Sequence, residues 1–228
     1  MTNLNQNNDD FLLNEDKNKK NRIYSFAKKN HSQINSSILS IATAGLFLAL
    51  IIALNFAFDA IPKFIGDFHI QMFLVVYALG IHLIKEKAIS FTFMLALPPI
   101  LFWLEPDAWN VAGLQIFLDY FIAFYGFGFC YLAAPLTRIT ATRFSKKTQK
   151  IIEIAWLVLF YSIGLTIKFF VHLAVGAIYF TDGDWFASLA VNGFWLANAV
   201  LTIPVLILVA PILIMLNEKM LNNQNSKY

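Results

Sequence analysis

Polar and apolar positions fall into long separate blocks along this chain. Residues 1–33 are rich in Asn, Lys and Asp and hold no long apolar run. That pattern predicts a disordered polar tail with no signal peptide. Six apolar stretches follow. Ser32–Phe58 carries no charge, and Phe68–Ile84 and Ala88–Leu104 lack Lys, Arg, Asp and Glu. Val111–Pro135 holds one acid, Asp119; Ile154–Phe180 holds one base, Lys168, with His172; Trp185–Asn217 is uncharged. Crossing a hydrocarbon core about 30 Å thick takes about 20 helical residues. Trp185–Asn217 is too short for two spans and a turn, so it reads as one long helix with bending points at Pro204 and Pro211. Strands of a membrane barrel would alternate apolar and polar residues, and these runs do not. The expected fold is all-α: a bundle of six transmembrane helices over residues 34–217, between the tail at 1–33 and a short polar tail at 218–228.

Composition removes the soluble alternative. The chain is 58% apolar and 14% charged, against roughly 45–50% and 25% in soluble domains. The placement of charge then gives an orientation. With six spans, fifteen of the 17 Lys and Arg fall on one side: the N-terminal tail, Lys85 and Lys87, Arg138 to Lys150, and the C-terminus. The other side keeps Lys63 and most of the acids near the span ends. The positive-inside rule therefore predicts a multi-pass protein of the plasma membrane with both termini cytoplasmic.

Ionisable groups inside a bilayer cost several kcal/mol and mark sites. At about 1.5 Å per helical residue, Asp119 and His172 each lie roughly 12 Å below the outer surface, and Asn192 roughly 10 Å. Three helices thus bring polar groups to one level, as a pocket open to the outside requires. Lys168 shares a helical face with His172 one turn deeper, and an Asp119–Lys168 ion pair is expected there. Trp109, Tyr120, Tyr179 and Phe180 are among the aromatics near this level, and with a carboxylate they suit a small flat cation. In the first span, Gly45, Ala49 and Ala53 repeat at i, i+4, i+8, a small-residue stripe that lets another helix approach, within the bundle or from a partner membrane protein.

Other chemistries find no motif. The chain has no G-x-x-x-x-G-K-[ST], no H-E-x-x-H and no G-x-S-x-G, so neither nucleotide hydrolysis nor a catalytic or metal centre is expected. Gly126-Phe127-Gly128 reads as close helix packing, and Cys130 is a lone apolar thiol. The basic loop at 138–150 has few aromatics and fits lipid head groups or a cytoplasmic partner better than nucleic acid.

Three segments carry a family resemblance. Leu114–Phe124, with its Asp119-Tyr120 pair, resembles the fourth-helix motif of thiamine-specific S-components of energy-coupling factor transporters. Lys168–Phe180, a base, then His172, Gly176 and an aromatic pair, resembles the fifth-helix motif, and Ser188–Gly193 the sixth. The resemblance spans roughly residues 38–216. It implies a substrate-capturing subunit with no enzymatic activity and no cofactor, whose partners are a transmembrane coupling protein and two ATPases that use the ATP. It further implies that Asp119 and Asn192 bond the aminopyrimidine of thiamine, that His172, Trp109 and Tyr120 enclose its rings, and that the loop at 61–69, through Phe68 or His69, lids the site. The alanine stripe would face the coupling protein. Asp119 stands where the family often has Glu, Phe180 where it has Trp, and Ala187 where it has Tyr. The rival readings are an S-component for another vitamin or precursor, a proton-coupled secondary transporter using Asp119, Lys168 and His172, and an intramembrane enzyme built on His172.

Overall fold

The computed structural model describes residues 36–57, 71–104 and 113–225. The expected tail at 1–33, the lid candidates Phe68 and His69, and Trp109 lie outside the described residues. Among the described residues all regular structure is helical. The helices are α1 (Ser36–Ala57), α2 (Met72–Leu83), α3 (Lys87–Leu104), α4 (Gly113–Thr140), α5 (Lys146–Phe180) and α6 (Trp185–Asn225). Five of these contain a stretch long and apolar enough to cross a membrane; α2 is the shorter one. The protein is therefore a multi-pass helical membrane protein.

The helices depart from the apolar runs at their ends. α5 starts eight residues before Ile154, where Ser145 caps it by accepting from Thr148 N–H at 3.3 Å. α6 passes Pro204 and Pro211 without a break and continues beyond Asn217 to Asn225. Polar clasps fix this end: His82 Nε2 lies 2.9 Å from Glu153 Oε1, Lys150 pairs with Glu218, and Asn217 donates to Leu83 C=O at 3.2 Å.

α5 is the hub, packed against α4 on one side and α6 on the other. The core between α2, α4 and α5 is aromatic. Tyr77 stacks edge-on to Phe127 at 6.0 Å, and Phe127 meets Tyr161 at 5.4 Å. Buried tyrosine hydroxyls need partners. Tyr77 donates to Met94 C=O at 2.9 Å, and Tyr161 shares a 2.6 Å hydrogen bond with Thr202 of α6. Glycines permit the close contact of α4 with α5. A Cβ on Gly164 would stand 2.8 Å from the Phe127 ring, and one on Gly126 3.1 Å from Ile167. Gly128 lies under the Met94 sulfur. The Gly126-Phe127-Gly128 segment is helix packing, as its sequence predicts.

Two local irregularities position the polar groups. α4 widens to a π-helix over Phe117–Ile122, where Ala123 N–H reaches Leu118 C=O, and tightens to a 3-10 helix over Gly126–Leu132. α5 likewise ends in a π-helical turn, Gly176–Phe180. The chain then reverses within Thr181–Asp184. Asp182 and Gly183 take positive φ, 49° and 89°, and Gly183 N–H bonds Ala177 C=O at 2.7 Å. Asp184 caps α6 by accepting from the N–H groups of Phe186 and Ala187 at 2.9 and 3.1 Å. Thr181 Oγ1 donates to Asp184 C=O at 2.7 Å.

Candidate functional site

The tight reversal between α5 and α6 makes the two helices antiparallel neighbours from their outer ends inward. His172 and Asn192 lie nine residues before and eight after that turn, so they arrive at the same depth. Asn192 Nδ2 donates to His172 C=O at 3.4 Å and to Ser188 C=O at 2.9 Å. Ser188, buried, donates to Leu173 C=O at 2.8 Å. The seam closes on Gly176, where a Cβ would stand 2.4 Å from Ser188 Oγ and 2.9 Å from Asn192 Nδ2. A larger residue would displace those polar side chains.

α4 supplies the acid. Its π-helical turn carries Asp119 toward α5, and Oδ1 lies 2.8 Å from His172 Nδ1. On the other side of the ring, His172 Nε2 lies 2.7 Å from Lys168 Nζ. Sequence reasoning expects Asp119 and Lys168 to pair directly. In the structure the imidazole stands between them, so the described contacts run lysine, histidine, aspartate. An ammonium only donates. His172 Nε2 must then accept, and the ring proton sits on Nδ1, toward the carboxylate. Lys168 is 3% exposed, and its Nζ stands 4.1 Å from the centroid of the Phe124 ring. A cation–π contact offsets part of the cost of burying that charge.

The contact between Asp119 and His172 has ion-pair distance, and the Nδ1 proton faces the buried Oδ1. A carboxylate has about four lone-pair sites on its two oxygens, so Asp119 keeps acceptor capacity beyond the imidazole. Gln115, also buried, lies one turn above Asp119. Tyr120 packs edge-on against Phe102 of α3 at 5.4 Å. Tyr179 is half-buried at the outer end of α5, while Phe180 is 69% exposed. The structure thus gathers Asp119, Lys168, His172 and Asn192 into one group and leaves Phe180 at the rim.

Gln115, Phe124 and Ser188 belong to this neighbourhood and were not singled out from the sequence. The four-residue spacing of Gln115 to Asp119, and of Ser188 to Asn192, is the signal that was present. Elsewhere, the stripe of Gly45, Ala49 and Ala53 is exposed on the outside of the bundle, while Phe47 and Ile51 of α1 are buried. Of the two readings open for that stripe, internal packing is not what the structure shows.

A bundle of long apolar helices with a buried, connected group of acid, imidazole, ammonium and amide defines a membrane protein that handles a small polar molecule. The family model of the thiamine transporter protein matches residues 41–222, and the chain belongs to that family. It is a transporter and not an enzyme. Among solved structures, ThiT from Listeria monocytogenes is similar in fold, with a TM-score of 0.58 at 18% identity over 80% of this chain and 96% of that one. Comparison with curated protein sequences returns no match.

Proposed function

We propose that the chain is the substrate-binding S-component of an energy-coupling factor importer, and that it captures thiamine or a close derivative from outside the cell. The observation that carries this reading is the buried Asp119 carboxylate joined to His172 and Lys168 in a member of the thiamine transporter family. Thiamine offers an exocyclic amine on its pyrimidine ring and a cationic thiazolium. The amine is a donor for Asp119, and Asn192 and Tyr120 border the same level. The pocket lies between α4, α5 and α6, beneath the connection between α1 and α2, which closes over it. Trp109, Tyr179 and Phe180 complete the aromatic rim, with Phe68 or His69 in the lid.

Transport in this reading draws on ATP hydrolysed by two partner ATPases. A transmembrane coupling protein transmits it by docking on the exposed face of Gly45, Ala49 and Ala53. The protein lies in the plasma membrane with both termini cytoplasmic, as its basic residues require.

The test is calorimetric and fluorescence titration of thiamine into the purified chain, with Asp119→Asn as comparison. A hydrogen bond to a charged group contributes about 1.5–3 kcal/mol, so the variant is expected to bind more than about tenfold more weakly. Absence of heat and of any change in tryptophan emission with the native protein rejects the thiamine assignment. The contiguous contacts of Lys168, His172 and Asp119 also suit a proton relay, which favours a proton-coupled carrier as the second reading. Uptake that needs the ATPases and ignores a protonophore decides for the S-component.

A further inference from the structure

A cavity lies away from the polar group. It occupies about 650 Å³ between the first turns of α3 and the inner half of α4. Ile81 and Met94 form its floor, and Phe91, Phe129 and Leu132, all exposed on the outside of the bundle, form its rims. The space lies beyond the stretch where α3 packs along Phe117–Tyr125 of α4, with the Met94 sulfur over Gly128. Ala88 and Gly128 leave the gap between them unfilled. From Lys87 to Met94 the groove runs about 10 Å along the helix axis.

Among the described residues that line it, Lys87 alone is charged. It stands at the first residue of α3. That is the end of the molecule where Lys85 feels the charge of Arg138 and where the basic loop before α5 lies. An exposed apolar slot in the membrane-facing surface, closed at one end by a cation, matches the two halves of an anionic lipid. Basic pockets between helices at the cytoplasmic side are where anionic head groups bind. The Ser90 hydroxyl is already committed to Ile81 C=O at 2.9 Å, and of the other polar side chains in the lining, Tyr125, Tyr131 and Lys87, Lys87 carries the charge that an anionic head group needs.

We propose that this groove seats an acyl chain of an anionic phospholipid, with the phosphate held by Lys87. The site is independent of the thiamine site, and it would tie this chain to the anionic leaflet at the basic end of the bundle.

The test is native mass spectrometry of the full chain in mild detergent, with added phosphatidylglycerol or phosphatidylcholine. The native protein is expected to retain phosphatidylglycerol preferentially. Lys87→Ala should lower that retention about fivefold, the share of one surface lysine, and leave phosphatidylcholine unchanged. Ala88→Trp, which fills the slot, should displace both lipids and abolish any rise in unfolding temperature on adding phosphatidylglycerol. Equal retention of the two lipids, or retention unchanged in Lys87→Ala, overturns the proposal. Lys87 is exposed, so that variant keeps the test decisive even if Ala88→Trp folds poorly. A membrane protein co-purifying in place of lipid, and lost in Ala88→Trp, would overturn the choice of occupant.

Discussion

Lys168 carries a charge into the interior, and its contacts with His172 and with the Phe124 ring explain how the fold tolerates it. Removing the ammonium breaks a buried cation–anion pair that His172 bridges. Breaking such a pair costs about 3–5 kcal/mol, whereas removing both charges costs far less. Lys168→Met should therefore lower the unfolding temperature, and Lys168→Met combined with Asp119→Asn should recover much of the loss. Additive effects in that double-mutant cycle would mean the two groups are not coupled through His172. Gly176 sets the neighbouring constraint. With a Cβ there standing 2.4 Å from Ser188 Oγ and 2.9 Å from Asn192 Nδ2, Gly176→Ala must displace those two side chains from their hydrogen bonds. The expected cost is about 1–3 kcal/mol of stability, together with weaker thiamine binding, both readable by thermal unfolding with and without ligand.

At the scale of the helix, the π-helical turn of α4 matters most. An α-helix advances about 100° per residue, so one residue more or less re-aims everything on one side of it. Deleting Phe121, inside Phe117–Ile122, should restore regular winding and swing Asp119 away from His172. Helical content by circular dichroism should hold while thiamine binding is lost; undiminished binding would show that this turn does not place the acid. The depth of Asp119, His172 and Asn192 was legible in the sequence because hydropathy marks the span ends and the rise per residue is fixed. The order lysine, histidine, aspartate was not legible. It depends on the azimuth of Asp119, which a regular-helix reading of α4 gets wrong by the width of the π turn. The extended ends of α5 and α6 escaped for another reason: hydropathy reports where lipid contact stops, not where backbone hydrogen bonding stops.

For the whole molecule, the sequence showed which residues of α1 are small but not which way they look. Facing is a property of the assembled bundle, and burial of Phe47 and Ile51 turns Gly45, Ala49 and Ala53 outward. If a coupling protein docks there, Ala49→Leu should leave thiamine binding by the isolated chain unchanged and abolish uptake by cells that hold the full transporter. Normal uptake would move the docking surface elsewhere. The basic end is held by polar contacts. Its clasps between α2, α5 and α6 hold those three helices together at the end remote from Asp119.

The reversal at Thr181–Asp184 has a kinetic implication. Its hydrogen bonds fasten α5 to α6 at the outer surface, while Tyr161 and Thr202 fasten them midway. A vitamin cannot slip in by parting that seam without first dismantling it. The doorway must therefore lie away from the α5–α6 seam, and a disulfide stapling α5 to α6 at their outer ends should leave the association rate untouched.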